Sequence, residues 1–234
     1  VSVTATPDAD DLKRQAALHA IQYVRDGMIV GLGTGSTSTW AVRLLGEKVA
    51  AGLKIRAVPT SEVIAVLARQ LGIPLVEFDA IWGIDLALDG ADEVDPGLNL
   101  VKGGGGALLR EKIVAGASRE FIVMVDPTKL VPRLAEKFLL PVEVTPFAWQ
   151  QTARHLAAVG AQPKQRLAGG NRPFVTDNGN LILDCRFPAG IDDPARMEAE
   201  IDRIPGVVES GLFVHMTRRV VVGYPDGARE MVRE

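Results

Sequence analysis

Carboxylates and lysines are the side chains of this sequence whose spacing could support catalysis. Asp89 and Asp92 flank a glycine at the point where a predicted strand, 85–89, ends. Ligands of open α/β sheets bind at the carboxyl ends of strands. Two carboxylates in this arrangement suit acid–base chemistry, hydroxyl binding or a metal, whereas a solvated loop would carry the same residues without any function. The residues alone leave both interpretations open.

A lysine followed by four glycines is the second candidate feature, at Lys102 and 103–106. Consecutive glycines lose much conformational entropy on folding, so they indicate a backbone that passes close to a ligand or donates several N–H groups. The helix predicted after them carries Glu111. Its neighbours Arg110 and Lys112 favour an ordinary exposed ion pair when the residues are considered alone.

The segment GLGTGST at 31–37 follows a predicted strand and begins a predicted helix. Backbone N–H groups and the helix dipole make such a turn an anion site. The spacing does not match a dinucleotide fingerprint, since no carboxylate ends the next strand, and no lysine precedes Ser36 to make a P-loop. The hydroxyls of Thr34, Ser36 and Thr37 suit a small phosphate monoester, with a purely structural turn as the alternative.

Other residue types offer little chemistry. The three histidines, His19, His155 and His215, are scattered without metal-ligand spacing, and Cys185 is expected to be a packed thiol. No metal site and no Ser/His/Asp or Cys/His arrangement can be built from them.

Composition restricts the class of protein. The 234 residues are 47% hydrophobic and 24% charged, with 26 basic and 29 acidic side chains and a formal net charge of −3. This balance argues against a nucleic-acid-binding surface. The N-terminal stretch lacks the features of a secretory signal, and no apolar run approaches the ~18–20 residues that span a bilayer. We therefore expect a cytoplasmic globular protein without membrane or nucleic-acid partners.

The first half alternates between strand and helix patterns. Strands are predicted at 28–33, 54–58, 73–78, 85–89 and 121–126. One helix is predicted to start at Thr6 and Pro7, and three more are predicted around 41–49, 61–72 and 107–117. This alternation predicts an α/β fold, a mostly parallel sheet with helices on both faces, similar to the Rossmann arrangement.

The second half predicts a smaller α+β unit. A strand at 142–145 and a helix at 149–160 precede a hairpin at 174–185 that turns at Asn178–Gly179, then a helix at 193–206 and a strand at 207–214. This is the order of a ferredoxin-like unit. A last strand at 218–227 is expected to return to the first sheet, so the predicted domains are 1–135 with 215–234, and 136–214.

Four segments together resemble signature segments of the type A ribose-5-phosphate isomerases: GLGTGST at 31–37, LDGADEVD at 88–95, LVKGGGGALLREKIVA at 100–115 and DPTKLV at 126–131. The resemblance continues through VPTSE at 58–62, LPVEVTP at 140–146, VTDNGNLILD at 175–184 and IPGVVESGLF at 204–213, so it covers nearly the whole chain.

The resemblance implies reversible conversion of D-ribose 5-phosphate to D-ribulose 5-phosphate through a cis-enediolate, with neither metal nor organic cofactor. It implies that Glu111 is the general base and that Asp89, Asp92 and Lys102 are catalytic. It further implies an α/β catalytic domain with a ferredoxin-like lid, and a homodimer or homotetramer. The substrate-binding residues that it implies are Thr34, Gly35, Ser36, Thr37, Asp89, Gly90, Ala91, Asp92, Lys102, Gly103, Gly104, Gly105 and Lys129.

Two other classes of function remain as alternatives. A non-catalytic sugar-phosphate sensor could use the same fold, although the chain lacks a helix-turn-helix segment and a basic excess. A CoA transferase or a glucosamine-6-phosphate deaminase on a related fold is not expected to carry all three of the DGAD, KGGGG and REK segments.

Overall fold

A six-stranded sheet is the centre of the structure, a computed structural model that describes residues 8–233. The strand order is β13-β12-β6-β3-β1-β2, and every neighbouring pair is parallel except β12 with the edge strand β13. The strands are β1 (Ile29–Leu32), β2 (Arg56–Pro59), β3 (Ile84–Gly90), β6 (Ser118–Val125), β12 (Arg219–Tyr224) and β13 (Gly227–Val232).

Four helices accompany this sheet: α1 (Ala9–Ala20), α2 (Ser36–Ala50), α3 (Glu62–Gln70) and α4 (Leu108–Gly116). Side chains cap two of them, since Asp8 accepts from the N–H of Asp10 and Ser61 accepts from the N–H of Ile64. Such caps satisfy N–H groups that have no partner within the helix. The predicted helix start at Thr6 and Pro7 lies outside the described residues.

The central sheet is buried on both faces. Alternate residues of β6 belong to different apolar clusters, with Ile122 and Met124 in one and Phe121, Val123 and Val125 in the other. Side chains along a strand alternate between the two faces of its sheet, so each face of β6 has its own core. The predicted α/β class with a mostly parallel sheet is confirmed.

A second sheet has the order β10-β7-β9-β8, and all its pairs are antiparallel. Its elements follow the chain order β-α-β-β-α-β, which is the ferredoxin-like order predicted from the sequence. They are β7 (Leu140–Val144), α5 (Trp149–Ala158), β8 (Gln162–Gln165), β9 (Leu181–Arg186), α6 (Pro194–Asp202) and β10 (Val207–Ser210).

A third, small sheet joins the two larger ones. It consists of β4 (Glu93–Val94), β5 (Leu100–Val101) and β11 (Leu212–Phe213). The strand predicted at 207–214 is wrong as one element, because the chain leaves the second sheet at Gly211 and continues in the third. There the N–H of Gly211 binds the carbonyl of Pro141, and its own carbonyl accepts from the N–H of Lys102.

Several other predicted strands differ from the structure. The segment 73–78 makes only an isolated bridge, from Leu75 to Ala57, since Pro74 has no N–H to continue a ladder. The predicted hairpin turns near Asn178, but its first arm makes a single bridge, and β8 is the strand that pairs with β9. The edge strands β8 and β13 were not predicted.

The proposed domain boundaries at 135/136 and 214/215 stay a prediction. Within residues 8–233, every helix is too short or too polar to cross a bilayer.

Candidate functional site

A cavity of about 450 Å³ lies at the carboxyl end of the central sheet. It is in the size range of small-molecule sites. The glycine-rich turn after β1, the end of β3, the turn before α4 and the short 3₁₀ helix Pro127–Lys129 all contribute to it. The lining residues are Ala9, Leu12, Lys13, Thr34, Gly35, Ser36, Thr37, Gly90, Ala91, Asp92, Lys102, Gly103, Gly104, Gly105, Glu111, Asp126, Thr128 and Lys129.

Three ionisable side chains meet in a buried cluster beside this cavity. The Nζ of Lys102 lies 2.9 Å from Oδ2 of Asp89 and 3.2 Å from Oε2 of Glu111, and it donates to the carbonyl of Gly90 at 2.6 Å. The three residues are only 2–3% exposed. Buried charges are costly unless they are paired, and Lys102 is the partner of both carboxyl groups.

The predicted exposed ion pair of Glu111 is wrong. Arg110 instead binds Glu62, and Lys112 binds Glu198 and Glu209, which leaves Glu111 to face Lys102. Glu111 lies in the first turn of α4, on the side of the helix that packs inward.

Local backbone geometry fixes the other two members of the cluster. The N–H of Lys102 binds the carbonyl of Gly211, so the third sheet holds the lysine where β5 ends. Asp89 accepts from the hydroxyl of Ser38 at 2.9 Å. The turn after β1 passes so close that a Cβ at Gly33 would lie 2.0 Å from Oδ1 of Asp89, and therefore only glycine fits there.

The electrostatics of the cluster favour a carboxyl group that can exchange a proton near neutral pH. Burial, followed by the negative charge of Asp89, raises the pKa of Glu111 to about 8, although Lys102 opposes this rise. Burial alone would lower the pKa of Lys102, but the carboxylates of Asp89 and Glu111 outweigh it and raise the pKa, so the lysine stays charged. Among the described residues, none donates a well-formed hydrogen bond to Oε2 of Glu111.

The second carboxylate of the DGAD segment has a different environment. Asp92 lines the cavity, and its Oδ2 accepts from the N–H of Gly104 at 2.8 Å. Asp89 is absent from the described residues that line the cavity and is bound to Ser38 and Lys102.

The turn after β1 offers hydroxyls and a helix N-terminus to the cavity. Ser36 and Thr37 begin α2 with Gly35 as the N-cap, and both line the cavity together with Lys129. Thr34 also lines the cavity, and its hydroxyl is bound to the hydroxyls of Thr60 and Ser61, at 2.7 and 2.8 Å. This N-terminus meets the conditions for an anion site.

Comparison with known proteins identifies the family. The model of the ribose 5-phosphate isomerase A (phosphoriboisomerase A) family matches residues 56–227. This chain belongs to that family. The match covers the catalytic candidates Asp89, Asp92, Lys102 and Glu111.

Relatives in the phosphoriboisomerase A family match over most of the chain. The ribose-5-phosphate isomerase A of Gloeobacter violaceus is 54% identical over 221 residues, 94% of this chain and 95% of the relative. That of Bacillus mycoides is 49% identical over 220 residues, 94% of this chain and 99% of the relative.

Solved structures of family members have the same fold. A D-ribose-5-phosphate isomerase in complex with phospho-erythronic acid has a TM-score of 0.94 and 43% identity, over 97% of this chain and all of that one. The ribose 5-phosphate isomerase A of Methanocaldococcus jannaschii has a TM-score of 0.92 and 43% identity, with the same coverage.

Some residues of this cavity were not predicted from the sequence. Lys13 of α1 lines it, although the only sequence signal was a basic residue on a predicted helix far from the glycine segments. Asp126 and Thr128 also line it, next to the predicted Lys129. Glu93 of the DGADE segment has a structural role, since its carboxylate accepts from the N–H groups of residues 135, 137 and 138.

The cysteine and the histidines, which were expected to lack catalytic function, are not among the residues that line the cavity. Cys185 is buried, and burial raises the pKa of its thiol to about 12. His19 binds Glu230, and His215 contacts Arg233. Within residues 8–233, no group of three His, Cys, Asp or Glu side chains is placed to hold a metal ion.

Proposed function

We propose that this chain interconverts D-ribose 5-phosphate and D-ribulose 5-phosphate, with Glu111 as the general base. The observation that carries the proposal is the buried Glu111 carboxyl group, which lines the cavity 3.2 Å from the charged Lys102. A base whose pKa lies near the working pH both accepts and returns a proton readily. The family membership supports the same reaction.

Opening of the sugar ring is the first step, since the C2 proton becomes acidic only beside a free carbonyl. The anomeric hydroxyl loses its proton and the ring oxygen gains one. Asp92 is the aspartate that lines the cavity, so we assign this transfer to Asp92, directly or through a water. Asp89 then keeps Lys102 charged and in place, through its contact at 2.9 Å.

Proton transfer between C2 and C1 is the second step. The Glu111 carboxylate takes the C2 proton, and the electrons of the C–H bond form the C1–C2 double bond while the carbonyl oxygen becomes negative. The same carboxyl group returns the proton to C1 on the same face, while the O2 proton passes to O1, so that O2 becomes the ketone oxygen and O1 the hydroxyl oxygen of the product. Lys102 stabilises the negative oxygen of the cis-enediolate, and the backbone N–H of Gly105, a residue that lines the cavity, assists it, whereas the N–H of Gly104 is bound to Asp92.

The phosphate group requires a separate set of donors. Ser36 and Thr37 supply N–H groups and hydroxyls at the start of α2, and Lys129 supplies positive charge. Lys13 lines the same cavity and is the second cation that we assign to the phosphate. The remaining substrate contacts that we propose are Thr34, Gly35, Gly90 and Ala91, with the glycines at 103–105.

A non-catalytic sugar-phosphate sensor finds no support in this geometry. A sensor needs only hydrogen bonds to the sugar, whereas this site carries a buried carboxyl group with a raised pKa beside a charged lysine. A homodimer or homotetramer, a cytoplasmic location and the absence of a cofactor remain our expectations for the whole protein.

Substitution of the base tests the proposal. Glu111→Gln keeps the shape of the side chain but cannot accept the C2 proton, so turnover of ribose 5-phosphate should fall at least a hundredfold, within the ~10²–10⁴ range for a lost general base. Exchange of the C2 hydrogen with solvent should fall in parallel, while 4-phospho-D-erythronate still binds within an order of magnitude. Turnover and the exchange of the C2 hydrogen can both be followed by NMR.

Glu47→Gln is the matched control, since Glu47 is exposed on α2. Its turnover should equal that of the unmodified protein. Near-normal turnover of Glu111→Gln would refute Glu111 as the base. An unmodified protein that binds ribose 5-phosphate without converting it would favour the sensor.

A further inference from the structure

The turn formed by residues 103–106, the glycine turn, is held from the outside by Arg166, which directly follows β8 of the second sheet. Nη1 of Arg166 donates to the carbonyls of Gly103 and Gly104, at 3.0 and 3.1 Å. The carbonyl of Gly103 also accepts from the N–H of Gly106 at 2.9 Å, which closes the turn. Arg166 therefore links the ferredoxin-like unit to a backbone segment that lines the cavity.

Arg166 is itself held rigidly. Its Nε and Nη2 donate to the two carboxylate oxygens of Asp184, at 3.0 and 2.5 Å. The guanidinium carbon lies 5.7 Å from the centre of the Phe174 ring. Such a two-point ion pair fixes the plane of the guanidinium group as well as its position.

The two carbonyl contacts determine where the neighbouring N–H groups point. In a trans peptide the C=O and the following N–H point in opposite directions. The carbonyl of Gly103 points to Arg166, and the N–H of Gly104 correspondingly reaches Asp92 at 2.8 Å. The carbonyl of Gly104 also points to Arg166, so the N–H of Gly105 points away from it, and Gly105 lines the cavity.

Without the arginine, the second half of the glycine turn would have few constraints. Gly104 and Gly105 are both exposed and carry no side chains that could fix the peptide planes. The peptide group between Gly103 and Gly104 is also held by the N–H of Gly106 and by Asp92. Glycine populates more backbone conformations than any other residue, so without Arg166 the peptide group between Gly104 and Gly105 would rotate among several orientations.

We propose that Arg166, held by Asp184, is a positioning residue that keeps the N–H of Gly105 directed at the oxygen that becomes negative in the enediolate. This inference rests on the proposed isomerase function and adds to it a contribution from the ferredoxin-like unit. A donor that is already oriented stabilises developing charge without the cost of reorganisation during the reaction. Loss of the arginine should therefore reduce the rate of the chemical step more than the binding of substrate.

Steady-state kinetics of Arg166→Ala test this inference. We expect kcat to fall at least tenfold while KM changes less than threefold. Arg166→Lys should recover part of the loss, because one ammonium group can reach a carbonyl but cannot also bind Asp184 at two points. Arg172→Ala, an exposed arginine in the segment that follows, is the matched control and should leave both parameters unchanged.

Binding of two probes separates positioning from general damage. The carboxylate of 4-phospho-D-erythronate mimics the planar, charged enediolate, so Arg166→Ala should bind it at least tenfold more weakly. Inorganic phosphate, which needs only the donors at the start of α2 and the lysines, should bind within twofold of the unmodified protein. Equal weakening of both probes would overturn the inference in favour of a merely structural arginine.

The outcomes also separate this inference from the proposed function. An unmodified protein that does not convert ribose 5-phosphate would contradict the function itself. An active protein whose Arg166→Ala variant equals Arg172→Ala would contradict only the role of Arg166. If Arg166→Ala fails to fold, Arg166→Lys and Asp184→Asn, which nearly preserve size, replace it, and normal kcat in both would overturn the inference.

Discussion

Glu111 illustrates how position in the fold changes the chemistry of an ordinary side chain. On a solvated helix beside arginine and lysine, a glutamate would contribute ~0–1 kcal/mol through an exposed ion pair. Here it is 3% exposed and faces a single buried cation that it shares with Asp89. The result is a carboxyl group whose pKa lies far above its reference value of ~4.3.

The raised pKa predicts the pH dependence of catalysis. The base must be deprotonated to take the C2 proton, and the pKa of Glu111 is about 8 before substrate binds. We therefore expect kcat/KM to rise with pH from 5 and to level off above about 8, since kcat/KM reports the free enzyme. A flat profile between pH 5 and 8 would contradict this assignment.

The stability of the folded protein should also depend on the ionisation of Glu111, but it should decrease with rising pH where kcat/KM increases. The folded pKa lies above the unfolded one, so between pH ~4.3 and 8 the native state holds more protons than the unfolded state. The free energy of unfolding should therefore fall as pH rises through this window, relative to Glu111→Gln. Urea titrations at pH 5 and pH 8 measure the free energy of unfolding. If it changed equally with pH in the unmodified protein and in Glu111→Gln, the prediction would be refuted.

At the scale of single elements, the start of α2 is where the glycine-rich turn becomes a binding site. Its first residues, Ser36 and Thr37, face the cavity that Lys13 and Lys129 also line. The sequence predicted this element well, because a strand, a glycine turn and a helix lie next to one another in the chain. It could not predict Lys13, since the packing of α1 against the sheet is a long-range contact.

Phosphate capture at this element predicts a selective loss of affinity. Thr37→Val removes a hydroxyl, and Lys129→Ala or Lys13→Ala removes a charge, each worth about 1.5–3 kcal/mol when it binds an anion. KM for ribose 5-phosphate should rise roughly tenfold or more for the lysine variants, while residual action on unphosphorylated ribose hardly changes. The exposed Lys54→Ala serves as the control. Equal losses on both sugars would place the phosphate elsewhere.

At the scale of the whole molecule, the parts predicted best are those with local patterns. The alternation of strands and helices in the first half of the chain predicted the central sheet. The order β-α-β-β-α-β of the elements in the second half predicted the second sheet. The third sheet and the break at Gly211 were missed, because two-residue strands have no periodicity and β11 pairs with the distant β5. The edge strands β8, with the sequence QPKQ, and β13, with the sequence GAREMV, were missed because neither alternates between apolar and polar residues. The same limit hid the burial of Glu111, which depends on Lys102 being held at the end of β5.

The charged groups at the cavity predict that activity does not require a metal. The carboxylates nearest the cavity already have partners, since Asp89 binds Lys102 and Ser38 while Asp92 binds the N–H of Gly104. Lys102 supplies the positive charge that a divalent ion would otherwise bring to the enediolate. Prolonged EDTA treatment followed by gel filtration should therefore leave turnover of ribose 5-phosphate unchanged. A loss that Mg²⁺, Mn²⁺ or Zn²⁺ restores would show that Lys102 and the glycine turn are insufficient to stabilise the intermediate.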